Sequence, residues 1–301
     1  MKRVAVTGGN GILGSQVVDH LSKRGYVSVI LDRNEGISGK HRHHDVHVKS
    51  VDLNDYAAVE QALEGCDALI HIAAIPDPAH HSPHVVFANN TVSTFHVLEA
   101  AAKHGIQKTV IASSESAYGF PWATKPLSPF FVPVDESHPL IPEDCYGISK
   151  AVNEVTAEGF HRRTGMQVVC LRLSSILNKA GYLYFQSCLA KPEELRRVLW
   201  SYVDIRDAAE ACVLAVEREG LGCTALNIAA DDTFNDRKSQ ELLRVYFPDV
   251  IDIRSPYIEY EAFYSNAKAK ELLGWQPAHY WRDEVEKLGL GNKDAIDRPL
   301  P

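Results

Sequence analysis

An apolar run, a glycine turn and an amphipathic segment follow one another at the very start of this 301-residue chain, and no other feature restricts its fold as strongly. Arg3 to Thr7 reads as a buried parallel strand, and Gly11 to Lys23 reads as an amphipathic helix. Between them Gly8, Gly11 and Gly14 are spaced Gly-x-x-Gly-x-x-Gly. With no Cβ in the way, backbone can approach a pyrophosphate, and the free amides and positive dipole end of the helix face it. The second apolar run, Val27 to Leu31, closes on Asp32, about twenty residues after the turn as the dinucleotide fingerprint requires. A carboxylate there accepts the ribose hydroxyls of an adenosine and repels a 2′-phosphate, so the pattern predicts NAD over NADP. Arg33 can pair with a phosphate, which makes this a preference and not an exclusion.

Hydrophobic residues at 45% and charged residues at 23% are those of an ordinary globular chain, long enough for a substantial core. The formal charge of −8 argues against a nucleic-acid partner. No apolar stretch has the length of a membrane span, and Met1-Lys2-Arg3 runs straight into the first strand, which predicts a cytoplasmic protein without a signal peptide. Six cysteines are scattered without Cys-x-x-Cys spacing, and Cys66, Cys170 and Cys212 fall inside apolar patterns as small hydrophobes. The histidines between His41 and His47 lack a ligand set at useful spacing, so a solvated loop is predicted there and no metal site.

Strand and helix signals alternate through the first 170 residues, which predicts an α/β protein with a doubly wound parallel sheet, the Rossmann fold. Further strands are predicted at 46–51, 68–74, 108–112 and 167–171, with helices at 56–63, 85–104 and 145–161. The proline- and aromatic-rich stretch 120–142 is predicted to wrap the surface as a loop near the site. Asp207 is expected to cap a helix running to Glu217, and 225–229 to add a strand. The division that follows is a dinucleotide-binding domain of residues 1–173, to which 203–230 return, and a small C-terminal substrate-binding lid of 174–202 and 231–301.

Tyr146 and Lys150 lie one helical turn apart, on one face. A free phenol is a poor base near neutral pH, but an adjacent ammonium and the positive ring of an oxidised nicotinamide favour its ionised form. The same lysine can hold the nicotinamide ribose. A partner hydroxyl is expected at the carboxyl end of the fifth strand, where ligand groups gather in open parallel sheets, and Ser114 supplies it. Ser113 and Ser116 are local alternatives that read as backbone-bonding turn serines.

Taken in order, these segments resemble the extended short-chain dehydrogenase/reductase family, which includes nucleotide-sugar epimerases, dehydratases and sugar dehydrogenases. Thr7-Gly8-x-x-Gly11-x-x-Gly14, Asp52-Leu53, His71-Ile72-Ala73-Ala74, Asn90, Ser113-Ser114-x-x-x-Tyr118-Gly119, Tyr146-x-x-x-Lys150 and Leu171-Arg172 carry the resemblance. It implies cofactor contacts at Asn10, Gly11, Ile12 and Leu13, at Asp52 and Leu53, and at Ala73 and Ala74. It also implies a part for Asn90 in proton relay and catalytic roles for Ser114, Tyr146 and Lys150. The family's catalytic hydroxyl lies four residues before the Tyr-Gly pair, which selects Ser114.

The chain also departs from the nucleotide-sugar enzymes. After the sixth strand it reads Leu171-Arg172-Leu173-Ser174-Ser175-Ile176-Leu177-Asn178, without their Asn-x-Tyr-Gly-Pro, and Glu115-Ser116 is half of the dehydratases' acid pair. The uronate dehydrogenases of the family look closer. They share the Ser-Ser-x-x-x-x-Gly-Phe segment, a serine at the place of Ser175, and an arginine before a tryptophan, a place Arg196, Arg197 and Trp200 could fill. An arginine in the pocket would pair with a substrate carboxylate. Ile75, Ser114, Glu115, Ser116, Ser175, Arg196 and Arg197 are therefore the candidate substrate contacts. The function expected is an NAD-dependent oxidoreductase on a carbohydrate-like small molecule. An epimerase or dehydratase with bound NAD is the alternative within the fold, and a non-catalytic dinucleotide sensor the alternative outside enzymes. The resemblance further implies a homodimer built on the helices 85–104 and 145–161, whose apolar positions exceed one buried face.

Overall fold

The computed structural model describes residues 2–33 and 45–289. Seven strands form one parallel sheet: β1 (Arg3–Thr7), β2 (Val27–Asp32), β3 (Val46–Ser50), β4 (Ala68–His71), β5 (Lys108–Ser114), β7 (Gln167–Leu173) and β10 (Cys223–Ile228). Four two-residue strands complete the set in two further pairs: β6 (Phe131–Val132) pairs with β11 (Asp252–Ile253), and β8 (Ile176–Leu177) pairs with β9 (Val203–Asp204). The sheet order is β10-β7-β5-β4-β1-β2-β3, so the chain reverses direction of winding between β1 and β4. In a doubly wound sheet that reversal opens a crevice at the carboxyl ends of the strands.

Alternation along each strand builds two core layers. Val4 and Val6 of β1 and Ile30 of β2 face α1 (Ile12–Lys23) and α6 (Ile205–Glu217). Ala5, Val29 and Leu31 face the other way, into the layer of α2 (Tyr56–Leu63), α3 (Pro83–Lys103) and α4 (Cys145–Thr164). Both sides of these strands are covered, which is why they read as unbroken apolar runs. Cys66, Cys170 and Cys212 are buried in these layers, where burial pushes their thiols up.

Two expectations change. The helix ending at Glu217 is capped by Asp204, whose carboxylate accepts the Arg206 amide at 2.8 Å. Asp207 lies one turn inside, accepting the amides of Ala278 and His279 at 3.0 and 2.9 Å, and thereby ties the far end of the chain to α6. The proline-rich stretch wraps the surface only in part: Trp122, Lys125, Phe130 and Ile141 are exposed. Phe120, Val132 and Val134 are buried in a third, aromatic core with Trp200, Tyr202, Phe234, Phe263 and Trp281. That core gathers α5 (Lys179–Ser187), α7 (Ser239–Tyr246) and α9 (Trp281–Lys287), while α8 (Ala267–Leu273) packs on the sheet layer beside α6. Proline marks this stretch as non-helical, but only distant aromatic partners decide that it turns inward. His41 to His44 lie outside the described residues, and His47 is an exposed residue of β3. No helix among the described residues is long and apolar enough to cross a membrane.

Candidate active site

A cleft of about 940 Å³ opens along the carboxyl ends of β1, β2, β4, β5 and β7. At one end Gly8, Gly11, Ile12, Leu13 and Gly14 line it beside Asp32 and Arg33. Gly8 takes φ +68°, and a Cβ there would stand 2.9 Å from the Ala73 Cα, so the turn and the end of β4 touch backbone to backbone. The Thr7 hydroxyl oxygen accepts the amides of Ile72 and Ala73 at 3.1 and 3.2 Å and is bonded to His71 Nδ1 at 2.7 Å. Burial pushes His71 down to about 3, so the ring joins this lattice as neutral imidazole. The result is a rigid floor, lined by Ala73 and Ala74, under the glycine turn.

Asp32 ends β2 and accepts the Asn10 amide at 3.2 Å, which joins the carboxylate to the glycine turn. Arg33 donates to Asp52 at 3.2 Å and to Asn89 at 3.0 Å. Asp52 is consequently not on the cleft wall. It is exposed, and the Asn54 amide and Arg33 hold its carboxyl below the ordinary value, while Leu53 beside it lines the cleft. Asn90 also sits behind the wall: its side chain accepts the Ile75 amide at 2.8 Å and donates to the Ile75 carbonyl at 3.0 Å, fixing the loop that presents Ile75.

Ser114, Tyr146 and Lys150 meet at the middle of the cleft. Asp144 caps α4 by accepting the amides of Tyr146 and Gly147 at 2.9 and 2.8 Å, so Tyr146 begins the helix at a fixed position. Ser114 is extended, and its oxygen accepts the Ser116 amide at 3.0 Å. That leaves its proton for the Tyr146 phenol, whose ionised form a hydrogen bond from Ser114 favours. Ser113 points the other way and donates to buried Glu154 at 2.6 Å, a carboxylate that also holds Arg172 at 2.7 Å. Ser113 is thus neither a turn serine nor a partner of Tyr146: successive residues of a strand face opposite sides.

The electrostatics differ from the sequence expectation. Burial pushes the Tyr146 phenol up to about 12, with the Ser114 hydrogen bond opposing, and Lys150 does not outweigh it. The ammonium lies 5.4 Å from the tyrosine ring centre and donates to the Ala112 carbonyl at 2.7 Å. Burial also pulls Lys150 down to about 8. A positive charge beside the phenol would favour its ionised form and lower it toward the neutral range.

The far end of the cleft holds Glu115, Ser116 and Ser175, together with Trp122, Asn178 and Val198, which the sequence did not single out. The pattern around Trp122 announced only a loop next to the β5 motif, whereas Asn178 occupies a legible N-cap, accepting the Gly181 amide at 3.0 Å. Arg196 and Arg197 are absent from this wall. Arg196 stacks 4.9 Å from the Phe247 ring centre, and Arg197 donates to the Ala123 carbonyl. The cause is the turn at Leu199 and Trp200, both left-handed at φ 52° and 51°, which sends Trp200 into the aromatic core and carries the arginines off the cleft.

Residues 4–181 match the model of a family described as NAD dependent epimerase/dehydratase. A uronate dehydrogenase of Pseudomonas putida is 28% identical over 234 residues, covering 76% of this chain and 77% of that protein. A UDP-glucose 4-epimerase of Lacticaseibacillus casei is 25% identical over 326 residues, covering 95% and 94%. A crystal structure of UDP-galactose 4-epimerase superposes with a TM-score of 0.70 at 27% identity, covering 98% of this chain and 99% of that one.

Proposed function

We propose, from the premise that this chain belongs to the NAD dependent epimerase/dehydratase family, that it is an oxidoreductase acting between NAD and a hydroxyl or carbonyl group of a sugar-like substrate. The observation carrying this reading is the meeting of Ser114, Tyr146 and Lys150 in one cleft with the glycine turn and Asp32. The glycine turn fits a pyrophosphate, since its glycines let the turn close against the end of β4 and the start of α1 and so hold the helix N-terminus at the cleft. The bound dinucleotide supplies the hydride acceptor and a positive ring. Ser114 orients the substrate oxygen, Tyr146 moves its proton, and Lys150 holds ribose hydroxyls and adds charge beside the phenol. Asp32 favours NAD over NADP, and Arg33, already turned to Asp52 and Asn89, does little to offset it.

The test is a titration of the protein with NAD and NADP, followed by a panel of sugars and sugar acids read at 340 nm. Tighter binding of NAD and net NADH formation are expected. Stoichiometric NAD carried through gel filtration, with turnover but no net NADH, would instead indicate an epimerase cycle, the reading favoured by the 95% coverage of the Lacticaseibacillus casei relative. Binding without turnover on any substrate would indicate a dinucleotide sensor.

The protein is further proposed to form a homodimer through α3 and α4. Phe87 and Phe95 of α3 and Val152 and Val155 of α4 are exposed, Val155 by 64%, on two helices that pack side by side, which supports this reading. Sedimentation at micromolar concentration should give twice the chain mass; a monomer there refutes the dimer.

A further inference from the structure

The far end of the cleft contains an acid and no matching cation. Among the described residues that line the cleft, the cations are Arg33, at the end with Asp32, and Lys150, bonded to the Ala112 carbonyl. Glu115 lies at the opposite end, next in sequence to Ser114, and its charge is one of those felt by Tyr146. Glu115 is 5% exposed. One oxygen accepts the Ser175 hydroxyl at 3.0 Å, and the other, Oε2, is buried without a hydrogen-bond partner. A buried polar oxygen left unpaired costs stability unless a ligand completes it.

We propose that Glu115 is the specificity-determining residue of the substrate end, where its Oε2 pairs with a hydroxyl of an uncharged polyhydroxylated substrate and the cleft excludes a carboxylated or phosphorylated one. This rests on the reading of the cleft as a site for a sugar-like substrate. The surroundings that push the Glu115 carboxyl up to about 8, chiefly burial, oppose any negative charge placed there. A substrate carboxylate or diphosphate would lose its hydration at the same spot and meet no guanidinium or free ammonium in return. Hydroxyls carry no such cost, and each can donate to or accept from Glu115, Ser175 and Ser116. Trp122, 40% exposed on the same wall, offers a flat apolar face to the C–H side of a sugar ring.

The experiment compares matched pairs that differ at one carbon: glucose with glucuronate and galactose with galacturonate, with UDP-glucose as a third arm. Binding to the NADH-loaded Tyr146→Phe protein is measured by calorimetry, and turnover of the unaltered protein is followed at 340 nm. The neutral member of a pair should bind at least about tenfold more tightly than its acid and than UDP-glucose. Glu115→Leu, which keeps the burial but removes both oxygens, should weaken the neutral sugar while the acid stays weak, and so bring the pair within about threefold. Tighter binding of a uronate or of UDP-glucose, undiminished discrimination in Glu115→Leu, or binding of none of the five overturns the proposal. Discrimination in binding with no net NADH leaves the proposal standing and instead sinks the oxidoreductase reading.

Discussion

Tyr146→Phe should lower kcat by about 10²- to 10⁴-fold, the range over which a positioned proton donor or acceptor contributes, while the NAD dissociation constant stays within about twofold. The phenol oxygen is the group that Ser114 orients and the only atom this substitution removes. The ring, its burial in the cleft wall and the Lys150 bond to the Ala112 carbonyl remain, so the cofactor end keeps its geometry. In the direction of alcohol oxidation Tyr146 must be ionised. With burial holding the phenol up to about 12 in the protein alone, the rate should rise with pH across the neutral range. That rise should vanish in the variant. Activity within a few-fold of the unaltered protein on a genuine substrate would remove Tyr146 from the chemistry.

The second large effect is expected at Gly14, and it separates two glycines that look equivalent in the motif. A Cβ on Gly14 would lie 2.1 Å from the Gly8 carbonyl oxygen and 2.7 Å from the Gly9 Cα. Both obstacles are backbone, so neither can rotate away, and α1 must lift off the turn. Overpacking of this kind costs typically about 1–3 kcal/mol, or roughly tenfold to 100-fold in NAD affinity if it displaces the binding geometry. Gly14→Ala should therefore lower Tm by several degrees and weaken NAD. Gly11→Ala is the control, because its Cβ would meet only the Gly8 oxygen at 3.1 Å. Its Tm should stay close to that of the unaltered protein, and any loss should show in cofactor binding alone. Equal Tm and equal NAD affinity for Gly14→Ala would show that the turn is not the close-packed element described here.

What was legible in the sequence is what depends on local spacing. The strand, turn and helix at the start, the acid at the end of β2, the alternation of buried strands and the Tyr146–Lys150 step all follow from periods of two or 3.6 residues along one segment. Each of these needs no distant partner to be recognised. A hydroxyl at the end of β5 belongs here too, while the choice of Ser114 over Ser113 and Ser116 came from the family resemblance.

The tertiary structure decided everything that depends on which way a side chain points once remote segments pack. Arg196 and Arg197 read equally well as pocket residues until the left-handed turn at Leu199 and Trp200 swings them onto Phe247 and Ala123. Ser113 and Ser114 are adjacent in sequence, yet opposite faces of β5 commit one to Glu154 and the other to Tyr146. The proline-rich stretch looks like surface loop by composition, and Phe120, Val132 and Val134 within it become core only because Trp200, Phe263 and Trp281 come to cover them. Glu115, finally, reads in the sequence as half of an acid pair and a candidate substrate contact, with nothing to set its charge state. Burial beside the cleft, produced by residues far along the chain, turns it into an unpaired acid held up to about 8, because charge in a dry site is governed by surroundings and not by sequence position.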